Sequence, residues 1–230
     1  MIPVSMIKRV IRICVGNSKG TAFTMTRGGT RFLVTAKHLF KDENYPNSTV
    51  IGLLIDKQYK SFHVDVRYPI EIDADVAVIL LDSGHSTAPN DVVDFSVDGV
   101  LFGQDVYFMG FPFEYEYILK DIPDEKIPVP FVKKACLSAL LNDNAISIIL
   151  DGNNNPGFSG GPAFFENKST GKISICGVIS GYRYNKLSVC DELEEEQNLF
   201  VKENTGLILV TDIKYAVNIA DQWAQESQRS

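Results

Sequence analysis

Asn155-Pro-Gly-Phe-Ser-Gly-Gly-Pro162 is the stretch on which the reading of this chain turns. It sets a serine, Ser159, among glycines at the steps where backbone must come close to something else. Gly157 and Ser159 are spaced to aim two backbone N–H groups at one point, where the negative oxygen of an acyl-transfer intermediate would sit. Gly160 and Gly161 remove the Cβ atoms that would block a tight turn behind the serine. Pro156 fixes its own φ and gives up no useful donor, because the useful N–H belongs to Gly157. Alone, the stretch could equally be a glycine turn between two strands, so its meaning depends on what surrounds it.

Short apolar runs with turn residues between them fill the chain on both sides. Upstream, strands are predicted at Val10 to Val15, Thr21 to Thr26, Arg31 to Thr35, Val50 to Ile55, Tyr59 to Val66 and Gln104 to Met109. Another opens at the acidic corner Asp73-Ala-Asp75. Residues 114 to 130 carry Pro123, Pro128 and Pro130 among charges and read as a connector. Strands resume at Phe131 to Leu141, Ala145 to Leu150, Ala163 to Phe165, Ile173 to Ser180 and Leu207 to Val210. A long loop with the acid run Asp191-Glu-Leu-Glu-Glu-Glu196 separates the last two. The tail is helical: Thr211 is the expected N-cap, and Ile213, Ala216, Val217, Ala220 and Trp223 form a core-packing stripe. Many short strands, one connector and one late helix predict an all-β chain of two packed barrels. The expected division is an N-terminal barrel over 1–113, an inter-barrel linker over 114–130, a C-terminal barrel over 131–210, and a helix and tail over 211–230.

Composition narrows the function classes. The 230 residues are 45% hydrophobic, ample for a large core, and the net charge is −7. A phosphate-backbone binder would need a basic stripe, so no nucleic-acid partner is expected. Four cysteines without a CxxC pair and only three histidines argue against a metal site. Three of those cysteines lie in strand-like runs, where free buried thiols are the commoner outcome. No apolar run approaches a membrane span and no secretory leader is visible, so a cytoplasmic location is expected.

Two upstream residues give the serine loop its meaning. His38 ends a strand after the small Ala36, and Asp75 begins one. Singly, His38 reads as a structural histidine and Asp75 as a strand cap. Together with Ser159 they are the parts of an activated nucleophile. A serine hydroxyl is inert at neutral pH until a base removes its proton. An imidazole titrates in the right range, and a carboxylate fixes its tautomer and stabilises its charged form. The chain order His–Asp–Ser is that of the chymotrypsin fold.

In these motifs the sequence resembles trypsin-like serine proteases, and more closely the protease domain of bacterial HtrA-like enzymes. Gly20-Thr-Ala-Phe23 is similar to the family's first hairpin, Thr35-Ala-Lys-His38 to its histidine motif, and Asp75-Val-Ala-Val-Ile79 to its aspartate motif. Gly110-Phe-Pro112, Ser138-Ala-Leu140, Asn155 to Pro162 and Gly177-Val-Ile-Ser-Gly181 follow in the family's order, over roughly residues 10 to 185. The resemblance implies a chymotrypsin-like double β-barrel with a C-terminal α-helix. It implies His38 as base, Asp75 as orienting carboxylate, Ser159 as nucleophile, and Gly157 with Ser159 as oxyanion donors. It implies that Ser180 supports the aspartate, and that Ser180, Gly181 and Tyr182 pair with an extended polypeptide substrate. Counting back from Ser159 puts the base of the primary pocket at Asn153. No cofactor is implied.

The sequence also departs from the family. Phe158 stands where relatives have Asp or Asn, so no ammonium-to-carboxylate switch at that position is expected and no N-terminal processing is needed. The chain leaves no room for the PDZ modules common in HtrA-like proteases. Asp73 is a rival for Asp75 but does not fit the motif, and His63 and His85 match none. The expected activity is serine endopeptidase. The alternatives are a protease-like module that binds peptide without cleaving it, and an esterase of the same fold.

Overall fold

The computed structural model describes residues 2–55, 58–81, 93–115, 117–118, 128–141, 145, 147–190 and 196–227. A short helix α1 (Val4–Lys8) precedes six strands: β1 (Val10–Val15), β2 (Ser18–Arg27), β3 (Thr30–Thr35), β4 (Ser48–Ile55), β5 (Gln58–Arg67) and β6 (Ala77–Leu80). They close into an antiparallel barrel in the order β1-β2-β3-β6-β5-β4. The second half holds β7 (Asp94–Phe95), β8 (Asp105–Gly110), β9 (Tyr117–Ile118), β10 (Pro128–Val129), β11 (Phe131–Leu140), β12 (Ile148–Asp151), β13 (Pro162–Glu166), β14 (Ile173–Cys190) and β15 (Glu196–Asp212), then helix α2 (Lys214–Ser227). Its sheet runs β13-β8-β11-β12-β15-β14, and β14 pairs back onto β13, so these six strands also form a closed ring; β7 adds in parallel to β14. The fold is the double barrel that the strand pattern predicts.

The strands at the barrel interface, β2 and β3, are buried on both faces over most of their length, which is why β3 reads as an unbroken apolar run rather than an alternating one. In β3, Leu33 points into the first barrel with Ile13, Phe40 and Ile79. Its neighbours Phe32 and Val34 point the other way, into a core shared by both barrels and α2. The period-2 alternation of a strand thus sorts one apolar run between two cores. Val106, Phe108, Leu150, Phe158 and Ile179 belong to the interior of the second ring. Cys176 is buried there, and burial pushes its thiol pKa up to about 12. All four cysteines are free.

Helix α2 returns to the first barrel. Trp223 lies between the Phe32 ring, 5.9 Å away, and the Arg67 guanidinium, 4.2 Å from its centroid. Arg27 holds Asp221 through two hydrogen bonds of 2.7 Å. No helix among the described residues is long and apolar enough to cross a membrane.

Three expectations need correction. The strand at 105–110, placed with the N-terminal barrel over 1–113, pairs with β11 and β13 and belongs to the second. The proline-rich 114–130 connector therefore lies within the second half, between β8 and β11, and carries the small β9–β10 pair. Proline density marks a connection but not which sheet its ends join. Residues 183–190 and 196–204, expected within a loop, are strand: β14 and β15 continue pairing out to Cys190 and Glu196 as a two-stranded ribbon. Its side chains are exposed, Leu199, Phe200 and Val201 among them, so the buried-run signal for a strand is missing. Thr211 does not cap α2: its hydroxyl lies 2.7 Å from Ser180 Oγ, and the side chain that accepts from the first turn of the helix is that of Asp212, whose Oδ1 takes the Lys214 N–H at 2.8 Å. Residues 191–195 of the acid run, and His85, lie outside the described residues.

Candidate active site

His38 and Asp75 meet at the end of the first barrel. After β3 the chain turns at Ala36 into a 3-10 helix, Lys37–Glu43, and this turn lays His38 beside the start of β6. Asp75 grips it twice. Its Oδ1 accepts the His38 backbone N–H at 2.8 Å, and its Oδ2 lies 2.7 Å from Nδ1. The carboxylate side chain is 18% exposed and the imidazole 41%. A carboxylate at Nδ1 draws the ring proton there and leaves Nε2 as an acceptor toward the open side. The rival Asp73 is exposed and takes no part in this contact.

Ser159 arrives from the second barrel on a loop whose carbonyls from Asn153 to Ser159 are all engaged. The Asn153 carbonyl accepts from Lys133 Nζ, and that of Asn154 from Asn204 Nδ2 at 2.8 Å. The Asn155 carbonyl accepts the Phe158 N–H at 3.4 Å, and that of Pro156 the Phe113 N–H at 3.2 Å. The Gly157 carbonyl takes the Thr21 hydroxyl at 2.7 Å. Phe158 and Ser159 carbonyls accept from Gly161 and Thr21 N–H groups at 2.9 and 2.8 Å. On the donor side, the N–H groups of Asn155, Phe158, Gly160 and Gly161 are all spent, and Pro156 has none. Those of Gly157 and Ser159 donate to nothing among the described residues. Because a peptide plane holds C=O and N–H antiparallel, the Pro156 bond to Phe113 turns the Gly157 N–H away from that residue.

Two glycines make this path possible. Gly157 has φ +101, and a Cβ there would come within 2.2 Å of the Phe111 carbonyl. Gly160 has φ +84, and its Cβ would strike the Thr21 carbonyl at 2.1 Å and Thr35 Oγ1 at 2.3 Å. That contact puts the residue after Ser159 against the strand that leads into His38. The serine and histidine elements are thus brought together across the barrel interface. No hydrogen bond joins Ser159 Oγ to His38 Nε2 among the described residues; such bonds often close only when substrate is present.

Phe158 is fully buried and meets Phe108 edge-on with centroids 5.0 Å apart. Burial of such a ring is worth about 1.5–3 kcal/mol, and the aromatic pair about 0.5–1.5 kcal/mol more. The loop is therefore anchored by an apolar plug.

The expected substrate-binding residues occupy one region. Asn153 is exposed and its Oδ1 faces Asn204 Nδ2 at 3.5 Å. Gly181 gives its carbonyl to Asn154 Nδ2 at 3.1 Å. β14 keeps β13 as a neighbour only as far as Val178. From Ser180 through Tyr182 that edge has no strand beside it among the described residues. Ser180 Oγ lies 2.7 Å from Thr211 Oγ1 and not on Asp75, so the aspartate is held by the His38 backbone rather than by this serine. His63 sits apart, with Nε2 3.0 Å from Ser48 Oγ.

Two residues escape a reading of the sequence. Thr21 bridges the barrels: its hydroxyl donates to the Gly157 carbonyl and accepts the Phe111 N–H at 3.1 Å, and its own N–H holds Ser159. Lys133 reaches from β11 to the Asn153 carbonyl, to Asn155 Oδ1 at 2.7 Å, and over the Phe158 ring at 5.7 Å. Thr21 lies in the Gly20 to Phe23 motif, which assigns it no role, and Lys133 lies in no distinctive pattern; only long-range pairing brings them to the loop. Among the described residues no group of three or more His, Cys, Asp or Glu is placed to hold a metal.

No protein-family model matches the chain, and no curated protein matches it in sequence. Solved structures share its fold. The HtrA-type protease AlgW, solved with a tripeptide, aligns with a TM-score of 0.57 at 16% identity, over 97% of this chain and 64% of its own. The chain thus spans less than two thirds of AlgW. Deg5 aligns with a TM-score of 0.55 at 18% identity, over 94% of this chain and 88% of its own. The Rv3671c protease of M. tuberculosis, in an inactive form, gives 0.50 at 15% identity over 94% and 88%. At these identities the likeness is one of fold: a chymotrypsin-like double β-barrel with a C-terminal helix.

Proposed function

We propose that the chain is a serine endopeptidase working through an acyl-enzyme. The observation that carries this reading is the pair of N–H groups at Gly157 and Ser159, unspent among the described residues, on a loop whose carbonyls from Asn153 to Ser159 are tied down. Donors fixed beforehand are worth most where charge develops in the transition state. Ser159 Oγ attacks the peptide carbonyl carbon while His38 Nε2 takes its proton. The carbonyl oxygen becomes an oxyanion facing the two N–H groups. His38 then passes the proton to the leaving amine as the C–N bond breaks. Water, deprotonated by the same nitrogen, releases the acyl group and restores Ser159. Asp75 stabilises the imidazolium at each stage. The open β14 edge at Ser180 to Tyr182 supports docking of an extended peptide by strand addition.

A fluorophosphonate probe tests this directly. A single adduct, located on Ser159 by mass spectrometry, is the expected result. An intact protein that binds peptide but forms no adduct would be the non-cleaving module instead. An adduct with turnover of esters and none of amides would make the protein an esterase.

Selectivity for the residue before the cut follows from charge. Asn153 is neutral, and the nearest fixed charge at its carbonyl is the Lys133 ammonium. A second cation at about 4 Å from it would be repelled by about 1–4 kcal/mol, depending on screening. Tyr182 further narrows the edge. Uncharged residues of small to medium size are expected before the cut in a peptide-library profile, with Lys and Arg depleted. Strong Lys/Arg preference would overturn this.

A further inference from the structure

We infer that Lys133 is a positioning residue, whose ammonium straps residues 153–155 from outside and so keeps the Gly157 and Ser159 amides converged. The inference rests on the acyl-transfer reading above.

An outward lysine on a strand ordinarily leaves its ammonium in water. Lys133, a half-buried residue, instead turns its Nζ onto the Asn153 carbonyl and the Asn155 side-chain oxygen, with the Phe158 ring within cation–π range. Desolvation there lowers its pKa, so the ammonium sits where burial opposes the charge and oxygen ligands offset the opposition. The neighbouring Lys134 shows the ordinary alternative, an exposed contact with Asp105 at 3.4 Å.

The place of the strap matters more than its strength. It holds the loop just before Pro156, from which the carbonyl orientations of Pro156 and Gly157 are set in turn. The Lys133 ammonium lies over the Phe158 ring and binds the backbone beside it, so the charge that holds the loop comes from β11.

The test compares Lys133→Met, which keeps the stem and loses the charge, with Lys133→Arg, which keeps a charged donor. Two readouts are needed. In Lys133→Met, amide hydrogen exchange across residues 153–161 is expected to quicken about tenfold or more, while exchange in β1–β6 stays as in the parent. Peptide turnover is expected to lose about 10–100-fold in kcat with KM changed little, since the lost interaction acts in the transition state. Lys133→Arg is expected to recover most of both. A role in packing alone would lower melting temperature without splitting kcat from KM. Parent-like exchange across 153–161 in Lys133→Met overturns the inference, and so does parent-like kcat. If the parent itself is inert to substrate and probe, the endopeptidase reading fails, and the exchange measurement alone decides whether Lys133 holds the loop.

Discussion

Replacing Ser159 by alanine is expected to abolish probe labelling and lower kcat by on the order of 10⁶, the scale of losing the nucleophile of a serine hydrolase. The fold is expected to survive unchanged. What Ser159 does for the structure it does through its backbone: its carbonyl holds the Thr21 N–H at 2.8 Å. Its Oγ has no hydrogen-bond partner among the described residues, so removing it strands nothing. A surface-type change of this kind costs within about 0.5 kcal/mol. Melting temperature and circular dichroism of Ser159→Ala should therefore match the parent, while acylation by a chromogenic peptide ester disappears. Parent-rate turnover by this variant would sink the assignment. The adjacent Gly160→Ala is a useful contrast. Its Cβ would sit 2.1 Å from the Thr21 carbonyl, so activity lost there reports a broken interface and says nothing about chemistry.

Much of the site was legible in the sequence because its chemistry is written in rare residue types at constrained spots. Ser159 lies among glycines that sterics demand, and Asp75 opens a buried strand. Asp75 over Asp73 was decided by motif, and the twofold grip on His38 agrees with that choice. The strands were legible for a different reason. Burial of one or both faces makes most of them short runs rich in apolar residues, with turn residues between them.

What escaped the sequence was set by distant partners. The identity of the sheet that holds residues 105–110 depends on pairing with β11 and β13, which local pattern does not encode. The exposed ribbon of β14 and β15 is held by backbone pairing, with little apolar burial to announce it. Ser180 was expected on the aspartate but spends its hydroxyl on Thr211, the residue expected to cap the last helix. Both expectations failed together: one hydroxyl was assigned by family resemblance and the other by local context, and each has the other as its cross-strand partner. Thr21 and Lys133 were invisible for the same reason. Each is one polar residue in a strand, and its role exists only once the barrels dock.

Replacing Asp75 by asparagine isolates the remaining step, the setting of the histidine. Asparagine has nearly the same shape, and its side-chain oxygen can keep the 2.8 Å bond from the His38 N–H. Its amide nitrogen then faces Nδ1 across the 2.7 Å contact. Two donors cannot share that contact, so the ring proton moves to Nε2 and Nδ1 becomes the acceptor. Nε2, the proton acceptor in the proposed mechanism, now carries a hydrogen and cannot take another. Rate is expected to fall by on the order of 10⁴, the cost of this exchange in a Ser–His–Asp hydrolase. KM should change little, because the peptide edge and the Gly157 and Ser159 amides are untouched. The tautomer itself can be read without any turnover, from the ring-nitrogen chemical shifts of ¹⁵N-labelled His38. In the parent the protonated signal belongs to Nδ1, and in Asp75→Asn it is expected at Nε2. A variant that keeps both its Nδ1 proton and the parent rate would show that Asp75 does not orient the base.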